Sequence, residues 1–246
     1  MGFKYIDALA TPENLEKLMK LTDMVAGITR ETSNVFDIED ALRDSPLMQN
    51  CLTAVREDSA SAKALEERYM GEDYDIEKML KMPPHSLGWT YAKVLTALGY
   101  DPNFYRIREI ESDVDYITHR VRKTHDLHHI LTGFSFDDYG ELGIISVTIG
   151  QIRYPAFVLM ALLASLLSYV TGAKKAGINH QLEYNFDIAS AGIQMARQAK
   201  SLFPVKWEEN LDRPLDELRS EFNIQPVTTG LWSWYTRPVL QEAISA

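Results

Sequence analysis

Apolar residues recur at three- and four-residue spacing over most of this chain, the period of a helix with one face buried. Thr11-Pro12-Glu13-Asn14 opens the first such stretch, with Thr placed as cap and Pro at the first helical position. Leu15, Leu18, Leu21 and Val25 give the helix expected over 12–29 a wide apolar arc, suited to the core, a second copy of the chain or a lipid surface. A second amphipathic piece follows Asp37, and a third runs from Leu47 to Val55. Residues 57–81 carry Glu66, Glu67, Arg68, Glu72, Asp73 and Asp75, and read as a solvated helix and turn. Ser86 is placed to cap a helix through Trp89, Val94, Leu95 and Leu98 that stops at Gly99. Apolar spacing then resumes from Asp113 to Leu131, with Gly133 as terminator. With no strand-like alternation, internal repeat or long linker, the chain reads as all-α: a single-domain helical bundle over 1–246 around an apolar central helix.

That central helix is Tyr154 to Ala173, which carries no formal charge and is almost wholly apolar from Ala156 to Val170. Its span reaches the roughly 20 residues of a membrane crossing. Pro155 at its start, Ser165, Ser168 and Thr171 inside it, and the lack of a second span favour a helix enclosed by other helices.

Composition narrows the function. At 246 residues and 28.0 kDa the chain can bury a core without staples. Its 25 basic residues against 35 acidic ones leave a formal charge of -10, which argues against a phosphate-backbone grip on nucleic acid and a polybasic grip on anionic lipid. The single Cys51 excludes an internal disulfide and a Cys-based zinc cluster, and fits a reducing compartment. Residues 1–20 show neither a signal-peptide core nor the Arg-rich helix of a presequence, so a cytoplasmic protein is expected, soluble or peripheral to a membrane.

The chemistry concentrates in His125-Asp126-Leu127-His128-His129. Positions four apart share one helix face, so His125 and His129 point their imidazoles at one place, and Asp126 borders the same patch. A turn at Gly133 and a helix resuming near Tyr139 would run antiparallel, setting Glu141 opposite the two histidines. Two imidazoles and two carboxylates suit a divalent metal, and the nitrogen donors favour zinc, iron or manganese over magnesium. With 6 His and 35 acidic residues, a His-(Asp/Glu)-x-x-His string arises by chance about 0.02 times, so the signal is specific. Asp126 is a methylene shorter than the Glu of the zinc-protease motif and is read as a ligand or an orienting group. His128 is expected at the surface or behind the ligands, and His85, His119 and His180 as structural. Asp137 or Asp138 is expected to cap the next helix. The Asp137-Asp138-x-x-Glu141 spacing also occurs in magnesium-dependent isoprenoid diphosphate enzymes, but their second acidic motif is missing. Arg122 borders the metal face, placed either for a phosphate or carboxylate headgroup or for a surface ion pair. Trp232, Trp234 and Tyr235 read as a docked tail.

The stretch Thr124-His125-Asp126-x-x-His129, followed by eleven residues and Glu141, resembles the signature of the Coq4 family of ubiquinone biosynthesis proteins. Ser86-Leu87-Gly88-Trp89-Thr90-Tyr91-Ala92, Gly140-Glu141-Leu142-Gly143, Trp207-Glu208-Glu209 and Pro214-Leu215-x-x-Leu218-Arg219 support it, so the resemblance spans roughly 83–224. It implies a helical protein with a divalent metal at His125, Asp126, His129 and Glu141, zinc ahead of magnesium, manganese or iron. It also implies an apolar site for a polyprenyl tail and work on a quinone precursor or an isoprenoid phosphate at a membrane surface. The family is associated with organising a biosynthetic complex and with replacing the carboxyl at ring carbon 1 by a hydroxyl. In this chain Phe157, Leu162, Leu166 and Tyr169 would line the tail site. The lack of a presequence suggests a bacterial homologue. A non-catalytic lipid-binding scaffold with a structural metal is the other reading, and a homodimer is compatible with both.

Overall fold

Several helix starts are set by side chains that accept main-chain N–H groups. The structure, a computed structural model, describes residues 11–16, 19, 35–105, 109–172 and 181–245. After helical residues 12–16 come α1 (Val35–Leu42), α2 (Pro46–Glu57) and α3 (Ser59–Glu67). Ser45 Oγ accepts from Met48 N at 3.2 Å and Asp58 from Ser61 N at 2.9 Å, capping α2 and α3. The short α4 (Ile76–Met79) precedes α5 (Leu87–Leu98), which runs from the expected Ser86 cap to a left-handed Gly99. Leu18, Leu21 and Val25 of the 12–29 arc lie outside the described residues, as does His180.

The longest of the described helices, α6 (Asp113–Thr132), opens with a reciprocal capping box between Ser112 and Asp115. Arg43 Nε and Nη2 donate to the same Asp115 carboxylate at 2.8 and 2.9 Å, fixing the α1–α2 turn to this helix end. After α6 follow α7 (Glu141–Ile152), α8 (Pro155–Thr171) and α9 (Gln181–Gln198). A 3₁₀ turn at Trp207–Asn210, α10 (Leu215–Glu221), a second 3₁₀ turn at Trp234–Thr236 and α11 (Pro238–Ser245) complete the chain. Among the described residues the only β pairing is two isolated bridges, Ser86–Pro214 and Phe134–Ser233, so the fold is all-α as expected.

The helix at the centre of the core is α6. Its Ile117, Leu127, Ile130 and Leu131 are fully buried against Tyr91 and Leu95 of α5 and Ile144 of α7, among others. The expectation for 154–173 is corrected here. Only the first turns of α8 enter the core, through Ala156, Phe157 and Leu159. Farther along, Leu162, Leu166, Leu167, Tyr169 and Val170 are exposed, Tyr169 by 71%. Its apolarity is therefore not the result of enclosure. No helix of the described residues is long and apolar enough to cross a membrane.

A buried ionic knot on the opposite face of α6 was not foreseen. Arg120, 2% exposed, meets Glu208 at 2.6 and 3.2 Å and donates to the Val205 carbonyl at 3.1 Å. Lys123 lies 3.9 Å from the same carboxylate and donates to the carbonyls of Met70 and Gly71. These bonds tie the loop after α3 and the 3₁₀ turn to α6, and so hold the helix from behind its histidine face.

Candidate metal centre

The turn that brings Glu141 back to α6 is built around Asp137. Its Oδ1 accepts from Ser135 Oγ at 2.7 Å and from Tyr139 N at 3.0 Å, and its carbonyl accepts from Gly140 N and Glu141 N. A Cβ at Gly140 would stand 2.2 Å from the Ser135 carbonyl oxygen, so only glycine closes this turn. Asp137 does not cap α7, and neither does Asp138: the cap position is Gly140, and Asp137 instead shapes the turn and pairs with Arg237 at 2.6 Å. The result is the antiparallel return that the spacing implied.

Three expected side chains meet closely at that return. His125 Nε2 lies 3.1 Å from Glu141 Oε1, His129 Nε2 lies 3.3 Å from Glu141 Oε2, and the two Nε2 atoms are 3.3 Å apart. Asp126 brings a carboxylate oxygen to within 4.8 Å of ligand atoms of both histidines. His129 Nδ1 donates to the Phe134 carbonyl at 3.1 Å, which leaves Nε2 for Glu141, a proton or a metal. The Phe136 ring stacks on His129 at 4.5 Å and 23°.

The donor set fits a small divalent ion. Zinc ligands at about 2.0–2.1 Å in a tetrahedron stand about 3.3–3.4 Å from one another, close to the spacings here. Electrostatics agree. Burial would push the Glu141 carboxyl up, but the His125 and His129 imidazoles hold it well below the usual carboxylate range. Burial likewise disfavours a charged His129, yet the Glu141 hydrogen bond and carboxylate, with Asp126 beyond, raise it above an ordinary histidine. Without metal the centre is a place for positive charge, and a metal entering it displaces protons.

The remaining residues divide. Phe157 is fully buried with its ring 5.5 Å from His125, whereas Leu162, Leu166 and Tyr169 sit on the exposed stretch of α8. Arg122 donates to Glu39 Oε1 at 2.6 Å and lies 5.0 Å from the centre of the Phe157 ring, while its buried Nη2 has no hydrogen-bond partner among the described residues. Glu39 also accepts from Tyr154 OH at 2.8 Å. His128 is buried against Trp207, so of its two expected placements the surface one does not hold. His119 packs on Tyr105 and His85 on Trp89. Trp232, Trp234 and Tyr235 do form a docked tail, with Trp234 1% exposed.

Residues 23–228 match the family model described as coenzyme Q (ubiquinone) biosynthesis protein Coq4. This chain belongs to the Coq4 family. The match begins well ahead of residue 83, where the family's motifs first become visible in the sequence. A mitochondrial ubiquinone biosynthesis protein COQ4 of Kluyveromyces lactis is 30% identical over 173 residues, 69% of this chain and 50% of that protein. The Penicillium rubens protein of that name is 28% identical over 207 residues, 82% of this chain and 66% of its own length. The Coq4 chain described here thus spans about half the length of the first of these relatives. A crystal structure of a candidate ubiquinone biosynthesis protein from Nostoc punctiforme shares the fold, with a TM-score of 0.71 over 87% of this chain and 98% of that one at 21% identity.

Proposed function

We propose that this Coq4-family chain holds a divalent metal ion, zinc first, on His125, Asp126, His129 and Glu141. With it the chain acts on a polyprenylated precursor in ubiquinone-type quinone biosynthesis at a membrane surface. The observation that carries the reading is the convergence of two imidazoles and a carboxylate at 3.1–3.3 Å. A bound divalent ion would supply Lewis acidity toward a ring carboxylate or phenolate.

The chain's own residues do the rest. Arg122 offers its buried Nη2 beside Phe157, and Phe157 touches His125, which supports a role in holding an anionic carboxylate or phosphate headgroup. From Phe157 the α8 helix runs outward past Leu162, Leu166 and Tyr169, about 18 Å along its axis at helical rise. A polyprenyl tail laid on that strip gains about 0.8 kcal/mol for each methylene it removes from water. The same exposed strip, with Phe186 of α9, suits peripheral contact with a membrane.

The reaction proposed is exchange of the ring C1 carboxyl for hydroxyl. The bond from ring carbon to carboxyl carbon breaks, carbon dioxide leaves, and a ring C–O bond forms. With water as the oxygen source, two protons and two electrons are released, and the electrons pass to an external oxidant such as dioxygen. Supplying purified protein with carboxyl-labelled prenylated hydroxybenzoate, each metal and an oxidant tests this directly. Labelled carbon dioxide and a ring-hydroxylated product are expected. Bound precursor with no product under any metal and oxidant would overturn turnover and leave a lipid-binding scaffold, while diphosphate release with magnesium would point to prenyl-diphosphate chemistry.

A further inference from the structure

The last turn of a helix leaves four carbonyls without partners inside the helix. At the end of α6, which carries His129, main-chain or side-chain groups from residues 219–234 accept this task one after another. Trp234 Nε1 donates to the His129 carbonyl at 3.1 Å, beside the bond this carbonyl accepts from Gly133 N at 3.0 Å. Arg219 donates through Nη2 to the Ile130 carbonyl at 2.7 Å and through Nε to the Leu131 carbonyl at 2.9 Å. Val227 N reaches the Thr132 carbonyl at 2.8 Å, and Trp234 N the Gly133 carbonyl at 3.0 Å. Gly133 must be glycine for this, because its φ is +84° and a Cβ would meet the Val227 carbonyl oxygen at 2.3 Å. The Arg219 guanidinium, 6% exposed, also brings a cation to the negative end of the helix.

The same segment holds the residue whose carbonyl meets the His129 ring. Its Nδ1 donates to the Phe134 carbonyl, and Phe134 is bridged to Ser233, with Ser135 N donating to the Trp232 carbonyl at 2.7 Å. Both the backbone of His129 and the carbonyl that orients its imidazole are therefore held by one distant stretch of chain.

We infer that Arg219 and Trp234 are positioning residues for His129: they fix the helix end and the Phe134 carbonyl so that the ring keeps its proton on Nδ1 and presents Nε2 to the centre. The consequence for metal affinity rests on the proposed metal site. The consequence for the ring itself does not. A partner that orients a ligating histidine is typically worth about 10–100-fold in metal affinity.

The test compares Trp234→Phe and Arg219→Lys with Tyr116→Phe. Tyr116 is buried near the opposite end of α6, where its hydroxyl donates to the Tyr69 carbonyl at 3.0 Å, and it controls for simple loss of stability. Proton spectra of metal-free protein carrying nitrogen-15 histidine report the Nδ1–H proton of His129 that the Phe134 carbonyl holds, and competition with a chelator reports zinc affinity. In Trp234→Phe and Arg219→Lys the His129 signals are expected to broaden and shift and zinc to bind about tenfold more weakly. In Tyr116→Phe neither changes, although Tm falls. Unchanged His129 signals in Trp234→Phe, or an equal change in Tyr116→Phe, would overturn the inference. Zinc failing to bind the wild type while the ring signals still move would sink the metal reading and leave the positioning role standing.

Discussion

The Nε2 atoms of His125 and His129 face each other across 3.3 Å, with both oxygens of Glu141 closing the gap from the next helix. Glu141 is the first residue of α7, and the Asp137 turn that precedes it sets its carboxylate against the two rings. Replacing Glu141 by Gln removes the negative charge that offsets two imidazoles and any cation between them. Zinc affinity is expected to fall more than the tenfold typical of an outer hydrogen-bond partner, with the far-UV circular dichroism unchanged. Chelator competition measures the first and spectroscopy the second; undiminished affinity would remove Glu141 from the ligand set.

Behind the site, Arg120 and Glu208 form an ion pair whose side chains are 2% and 5% exposed. Cutting one partner strands the other charge, which costs about 3–5 kcal/mol in comparable buried pairs. Glu208→Gln should therefore lower the urea midpoint sharply without a change in the slope of the transition. A shift no larger than that of a surface substitution would show that the pair contributes nothing.

Acid sensitivity has an identifiable source in His119. Burial, with the Lys123 and Arg120 cations nearby, pushes its pKa down to about 4. The folded protein keeps this ring neutral while the unfolded chain protonates it below about 6.5, so stability is lost as pH falls from about 6.5 toward 4. Between pH 7 and pH 5 the loss through this group is about 2 kcal/mol. Urea titrations should show His119→Gln losing that much less than wild type over the same interval, and equal losses would refute the assignment.

The boundaries of α2, α5 and α6, and the pairing of His125 with His129, were legible because they depend on residues close in sequence. The Ser86 cap, the Gly99 and Gly133 stops and the four-residue histidine spacing are signals of that kind. Glu141 was also within reach, since a short turn forces the second helix back along the first. What could not be read was the work of distant segments: Glu208 reaching Arg120, Glu39 engaging Arg122, and Arg219 and Trp234 gripping the end of α6. The 154–173 segment misled for a related reason. An apolar helix looks the same whether helices enclose it or its outer turns stand in solvent, as Leu166 and Tyr169 do.

Those exposed side chains make a prediction about membranes. With a net charge of -10, attachment to vesicles should depend on apolar contact and persist in high salt. Leu162→Glu with Leu166→Glu should abolish flotation with phosphatidylcholine liposomes, and because both positions are exposed the stability change should stay near 0.5 kcal/mol per site. Flotation released by salt, or unaffected by the two charges, would rule out this face.

The claim on which the functional account turns is that His125 and His129 hold a metal ion. Native mass spectrometry of the purified wild type, beside His125→Ala with His129→Ala, weighs it directly. The account predicts one divalent ion per chain in the wild type and none in the double variant, with helical content largely kept. Equal metal content in the two proteins, or none in wild type supplied with zinc, manganese, iron or magnesium, would contradict it.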